Sequence, residues 1–268
     1  MPNMTIQRDD DDGPSVDTVE IVRWDENKKI KKTDLVIREA NVLVQINGKD
    51  YRRFSSSPSH FNYLATGIFI TDGFDPRLIK QVDVLREGRT YTVNISTRDK
   101  VLDSVGLDIL DRMNGLDRTD YIGTCKIKPK KIISQLSIPK DLVSDLVKKL
   151  DDNSFSFKKT GGTHVVGIYH EKTFTAVEDI SRHSAIDKAI GLSFLNGVPS
   201  SSSVIVVSCR QTESIINKII MGGFPIVIGL SAPTDAAIYL ANDFNVTLIG
   251  FASKNRFNIY TNDWRVDF

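Results

Sequence analysis

Apolar positions recur at two different periods along this chain of 268 residues. They alternate loosely over 15–24. They alternate again through Leu35, Ile37, Val42, Val44 and Ile46, which lead into Asn47-Gly48, the strongest short-range hairpin signal. Ser57-Pro58 then opens a predicted helix, with Phe61, Leu64, Ala65 and Ile68 at helical spacing. Strands are predicted near 79–85 and 90–96, with Glu87-Gly88 as the turn between them. The first half therefore reads as β-rich with one helix. The stretch 98–136 shows no dominant period.

Beyond it the pattern becomes regular. Leu142, Val143, Leu146, Val147 and Leu150 mark one face of a helix. A strand over 163–169 precedes a helix over 184–195, which Gly197 ends and whose buried stripe is Ile186, Ala189, Ile190 and Phe194. The run 204–207 is continuously apolar, which fits a strand buried on both faces. A helix over 213–221 ends at Gly222-Gly223; a strand over 226–230, a helix over 234–244 and strands near 247–251 and 256–260 follow. Strands alternating with helices predict an α/β arrangement, a parallel or mixed sheet with helices on its faces; with the β-rich first half the chain is α+β overall. The expected division is a disordered acidic tail over 1–14, a β-rich subdomain over 15–137 and an α/β domain over 138–268.

Composition narrows the function classes. A net charge of +1 supplies no general attraction to nucleic acid or to a membrane surface. Two cysteines, Cys125 and Cys209, do not make a disulfide framework, which points to a reducing, cytoplasmic setting. The N-terminus has no apolar core of a signal peptide, and the longest apolar stretch, 219–230, is interrupted by Gly222, Gly223 and Pro225 and is too short to span a bilayer. His60, His164, His170, His183 and the two cysteines lack zinc-ligand spacing, so no metal site is predicted. Neither a Walker loop nor Gly-x-Gly-x-x-Gly is present.

In sheets of this kind ligands sit outside the carboxyl ends of the strands. Ser208-Cys209-Arg210 and Ser231-Ala232-Pro233-Thr234 directly follow two of the apolar strands. Each offers hydroxyls and free amides at a helix start, which suits an anion and equally suits plain capping. Thr160-Gly161-Gly162-Thr163-His164 is either a turn or a backbone that approaches a ligand closely. The segment from Glu178 to Lys188 crowds Glu178, Asp179, Arg182, His183, Asp187 and Lys188 around a helix mouth. His183 and Asp187 are four apart, so Asp187 can orient the imidazole. Cations at the positive end of a helix dipole call for an anionic ligand or for neutralisation by Glu178 and Asp179. Both readings are open on the sequence. Cys125, beside Lys126, Lys128, Lys130 and Lys131, is set up as a thiolate or is an idle cysteine; Cys209 ends a buried strand and reads as packing.

Taken in order, Thr160-Gly-Gly-Thr-His164, Glu178-Asp-Ile-Ser-Arg-His-Ser-Ala-Ile-Asp-Lys188 with Gly191, Ser208-x-Arg210, Ser231-Ala-Pro-Thr234 and Phe257-Asn-Ile-Tyr260 resemble the FdhD/NarQ family of formate dehydrogenase accessory proteins. Glu39, Val42–Gly48, Pro58 and Leu64-Ala65-x-Gly67 extend the resemblance back to about residue 35. The resemblance implies a C-terminal α/β/α domain of cytidine-deaminase-like fold without zinc. It also implies a homodimer and a sulfurtransferase. Such a protein takes persulfide sulfur from a cysteine desulfurase and passes it to the guanine-dinucleotide form of the molybdenum or tungsten cofactor, destined for a formate dehydrogenase apoprotein. Cys125, in a mobile loop near 120–131, would carry the sulfur. Thr160, Gly161, Gly162, His164, Asp179, Arg182, His183, Asp187, Lys188, Ser208, Arg210, Ser231, Ala232, Pro233 and Thr234 would hold the dinucleotide, and GDP-like nucleotides fit the same pocket.

The departures from the family pattern are local. Its loop usually carries Cys-x-x-Cys, and here the matching residues read Cys125-Lys-Ile-Lys128. Ser181 and Ser184 replace the usual Gly and Asn, and Cys209 replaces a Gly, which makes it a candidate resolving thiol or a small packing residue. A single thiol still suffices to carry a persulfide. Two other functions remain open: a chaperone that binds the cofactor without moving sulfur, and a nucleotide-modifying enzyme.

Overall fold

A computed structural model of the protein describes residues 16–98 and 128–268. The predicted acidic tail and Cys125 lie outside the described residues. The chain opens with a two-stranded hairpin, β1 (Val16–Asp25) and β2 (Lys28–Ile37), joined by a Glu26-Asn27 turn with both residues at positive φ. β3 (Ala40–Ile46) and β4 (Lys49–Ser56) form a second hairpin at Asn47-Gly48, again with both turn residues at positive φ, as the sequence predicts. With β5 (Ile79–Glu87) and β6 (Thr90–Thr97) they make a four-stranded sheet of order β4-β3-β6-β5. Helix α1 (Phe61–Thr71) lays Phe61, Leu64, Ala65 and Ile68 against Val42, Val44, Ile46, Tyr91 and Ile95 of that sheet.

The second half is a three-layer α/β/α arrangement around a mixed sheet of order β13-β12-β11-β10-β8-β9. Its strands are β8 (His164–His170), β9 (Thr173–Asp179), β10 (Val204–Val207), β11 (Ile226–Gly229), β12 (Thr247–Gly250) and β13 (Asn258–Ile259). β10, β11 and β12 run parallel, whereas β8, β9 and β13 pair antiparallel. One face carries α2 (Lys140–Asp152), whose Val143, Leu146 and Leu150 meet Val165, Val206 and Ile228. The short α3 (Phe155–Thr160) follows it. The other face carries α4 (Arg182–Leu195), α5 (Glu213–Gly222) and α6 (Asp235–Asp243). All four residues of β10 are buried, as their unbroken apolar run predicts.

The structure differs from the sequence reading at several points. β9 is an edge strand that the reading did not contain, and α3 is a helix it did not contain. α4 starts two residues before Ser184. It also lacks a solvent face: it is buried along most of its length, including His183, Asp187 and Lys188, while Phe194 of the expected buried stripe is exposed. The reason is that α4 lies between the sheet and α1. The two helices cross where glycines remove the side chains: a Cβ on Gly67 would overlap the Asp187 carbonyl, and one on Gly191 would overlap the Tyr63 carbonyl. This crossing joins the two halves of the molecule.

The C-terminus closes the structure. β14 (Val266–Asp267) pairs in parallel with β7 (Ile138–Pro139). Next to it the fully buried Arg265 donates to Thr247 Oγ1 at 3.3 Å and to the Ser134 carbonyl at 3.4 Å.

Candidate functional site

Strand register brings the predicted site segments to one end of the six-stranded sheet. Val207, the last residue of β10, lies opposite Val166 of β8 and Gly229 of β11, and Asp179 of β9 lies opposite His164. The starts of β8 and α4 and the ends of β9, β10 and β11 therefore meet there. Thr160–His164, Asp179–His183, Ser208–Arg210 and Ser231–Thr234, separate in the sequence, become neighbours. Asp187 and Lys188 lie farther along α4, under the sheet end.

Most of the hydroxyls at this end shape the loops. Thr160 Oγ1 donates to the Ser156 carbonyl at 2.8 Å and accepts from Gly162 N at 3.1 Å, while Gly161 sits at φ 67°, a conformation that favours glycine. Ser208 Oγ accepts from Val165 N at 2.9 Å, and Ser231 Oγ donates to the Ser208 carbonyl at 3.1 Å. Thr234 caps α6 by accepting from Ala237 N at 3.3 Å; Ala232 and Pro233 pair with the backbone of Gln211. Helix capping thus accounts for Thr234, whereas Ser208 and Ser231 tie neighbouring strand ends and loops together. Arg210 is exposed at the rim.

The acids around α4 divide their work. Glu178 accepts from Ser156 N at 2.7 Å and Phe157 N at 3.3 Å, which caps α3. Asp179 and Lys188 form a fully buried ion pair at 2.6 Å. Asp179 also accepts from Ser56 Oγ, Ser57 N and Ser181 N. Neutralisation, one of the two readings open on the sequence, therefore applies to Lys188. Asp187 does not orient His183. Its carboxylate accepts from Thr71 Oγ1 at 2.8 Å and pairs with Lys218 of α5 at 2.8 Å. Position four on the helix is right, but a stronger cationic partner comes from the neighbouring helix.

Arg182 and His183 are left over. Arg182 Nε is buried without a hydrogen-bond partner, and so are both ring nitrogens of His183. Burial pushes the His183 imidazole down to about 3, and the charges of Lys218, Arg182 and Arg52 and the neighbouring His164 add to it. Burial first, and then Arg182, hold His164 below the ordinary histidine range. Both imidazoles are thus neutral at physiological pH, within a cationic surround at the N-terminal end of a 14-residue helix. Orphaned donors at such a place suit an anionic group.

Cys209 stands beside this cluster, 3% exposed, with its thiol pushed up to about 11 chiefly by burial. It is packing, as the sequence suggests, and a poor nucleophile. Native protein treated with iodoacetamide near neutral pH should leave Cys209 unmodified while denatured protein is alkylated there, which peptide mapping reads directly. Rapid native labelling of Cys209 would contradict this assignment.

The model of the FdhD/NarQ family matches residues 37–267. The chain belongs to that family. It is 30% identical to the sulfur carrier protein FdhD of Bacillus pumilus over 94% of this chain and 98% of that one. It is 29% identical to the protein of the same name from Bacillus subtilis, over 92% and 96%, and from Methanothermobacter thermautotrophicus, over 92% and 97%. A crystal structure from Desulfotalea psychrophila, described as that of a formate dehydrogenase accessory protein, superposes with a TM-score of 0.76 over 95% of this chain and 100% of that one. At 17% identity that likeness shows a shared fold.

Family membership fits the motifs, but several residues of the site were not singled out in the sequence. Arg52, paired with Asp72 at 2.8 Å, and Lys218 supply the cations facing His183. Lys218 had a signal, a lone charge inside the apolar stretch of α5. Arg52 had none, because its place depends on its pairing with Asp72 at the end of α1. Gln211 lies across β11 and β12, donating to the Ile249 carbonyl at 3.0 Å, where Gly229 has no Cβ to obstruct it. Among the described residues no His, Cys, Asp and Glu side chains gather as a metal-ligand group, and no helix is long and apolar enough to cross a membrane.

Proposed function

We propose that this protein is a cytoplasmic sulfur carrier for a formate dehydrogenase. Cys125 accepts persulfide sulfur from a cysteine desulfurase, and the sulfur goes to a molybdenum or tungsten guanine-dinucleotide cofactor held at the sheet end. The observation that carries the reading is the pair of orphaned donors, Arg182 Nε and the His183 ring, at the mouth of α4 in a family whose relatives are named sulfur carriers. The cofactor is cargo, and its pyrophosphate supplies the acceptors that these donors lack. In the loading step the Cys125 thiolate attacks the outer sulfur of the donor persulfide, an S–S bond forms as another breaks, and the desulfurase thiolate leaves. The lysines adjacent in sequence, Lys126 and Lys128, favour the attacking thiolate. The family resemblance adds a homodimer and a formate dehydrogenase apoprotein as recipient.

The test is intact-mass analysis after incubation with cysteine and an active cysteine desulfurase. The wild type should gain one sulfur atom, removable by reductant, and Cys125→Ser should gain none. A gain that persists in Cys125→Ser would remove Cys125 from the carrier role. One observation favours a second reading: the sequence carries a single cysteine where the family usually has two. A cofactor chaperone that moves no sulfur would leave formate dehydrogenase activity intact in Cys125→Ser cells.

A further inference from the structure

His183 is 9% exposed, lies in the first turn of α4, and has no hydrogen bond at either ring nitrogen. The adjacent Arg182 has its Nε in the same condition. A fold that buries such groups unpaired carries a standing cost unless a ligand completes them.

The groups that face this imidazole come from four elements. β4 contributes Arg52, paired with Asp72; α5 contributes Lys218, paired with Asp187 at 2.8 Å; β8 contributes His164; and α4 itself contributes Arg182. Arg182 has no carboxylate within ion-pair distance among the described residues. Three cations against two carboxylates leave one positive charge, with the helix dipole adding to it. His183 is kept neutral chiefly by burial and next by this field, which together depress its pKa to about 3.

We infer that Arg182 and His183 bind one phosphate of a pyrophosphate diester, and that His183 takes up a proton as the anion arrives. The inference rests on the dinucleotide reading above and goes beyond it. In the free protein burial, and after it the surrounding cations, oppose a charge on the ring. An anion seated between Arg182 and His183 cancels that field and accepts hydrogen bonds from the imidazolium. The bound-state pKa is therefore higher than the free one. Binding takes up protons at any pH between the two values, so affinity falls as pH rises across that window and levels off above the higher one.

GDP-mannose is a suitable probe, because its pyrophosphate is a diester with no proton of its own to exchange near neutrality. Titration calorimetry of the full chain at about pH 6.5, in buffers of different ionisation enthalpy, reads the proton count. The wild type should take up a large fraction of one proton per site, with affinity falling up to about tenfold per pH unit. His183→Gln should bind more weakly, with no uptake and a flat pH profile. Independently of that variant's folding, 15N-histidine NMR of the wild type should show one buried imidazole change from neutral to cationic on saturation. Binding with no uptake, or uptake that survives in His183→Gln, overturns the inference. If GDP-mannose does not bind but sulfate binds with His183-dependent uptake, the anion site stands and the dinucleotide reading falls. If neither ligand binds, both fall.

Discussion

Lys188→Met should cost the protein about 3–5 kcal/mol of stability, because it strands the Asp179 carboxylate in the interior. Both side chains of this pair are fully buried. The ammonium also donates to the Ser57 carbonyl at 3.2 Å and to Ser59 Oγ at 3.4 Å, and the carboxylate accepts from Ser56 Oγ at 2.6 Å. The pair thus ties α4 and the end of β9 to the segment between β4 and α1. Removing one partner leaves a charge with no water to solvate it. Removing both is a different experiment. Lys188→Met combined with Asp179→Asn should recover much of the loss, since the residual polar group is neutral and keeps serine partners. Equilibrium denaturation of the two single variants and the double variant measures the coupling. A loss under about 1 kcal/mol for Lys188→Met would place the pair in the class of exposed ion pairs and contradict its burial.

Gly191→Ala should be comparably severe, about 3 kcal/mol or more, for steric reasons. The new methyl group would overlap the Tyr63 carbonyl and approach Gly67 N to 2.8 Å, so backbone must move rather than a side chain. Gly222→Ala is the matched control. There the methyl group meets the flexible end of Ile190 at 3.0 Å, and alanine is the better helix former by about 1 kcal/mol. Denaturant unfolding should separate the two variants clearly. The crossing that Gly191 permits also sets how deeply α4 sits, and hence where Arg182 and His183 point. A Gly191→Ala protein that remains folded should bind GDP-mannose more weakly, although residue 191 touches no ligand.

The parts of this fold legible in the sequence are those decided by local chemistry. Asn47-Gly48 specifies its hairpin because both turn residues need positive φ, and the unbroken apolar run of Val204–Val207 marks a strand covered on both faces. The illegible parts are decided by distant partners. α4 carries Asp187 and Lys188 as an exposed helix would, yet they are buried because Lys218, Thr71, Asp179 and Ser57 arrive from elsewhere in the chain. The same applies to α3, whose cap is Glu178 of the strand β9. For the candidate site, strand register brings the segments that the sequence grouped to one sheet end. Sequence order could not separate Ser208, Ser231 and Thr234, which are occupied in shaping loops, from Arg182 and His183, which are not. That distinction requires a count of hydrogen bonds in three dimensions.

The parallel pairing of Val266 with Ile138, and the grip of Arg265 on Thr247 and Ser134, have a consequence for biosynthesis. These contacts use residues 265–267, far along the chain from the segment they hold. On the ribosome the first four-stranded sheet can assemble early, but the 134–138 segment waits for its partners until residues 265–267 have cleared the exit tunnel. The second half therefore stays unclasped during synthesis until these residues emerge, and a chain truncated before Arg265 would be released without the clasp.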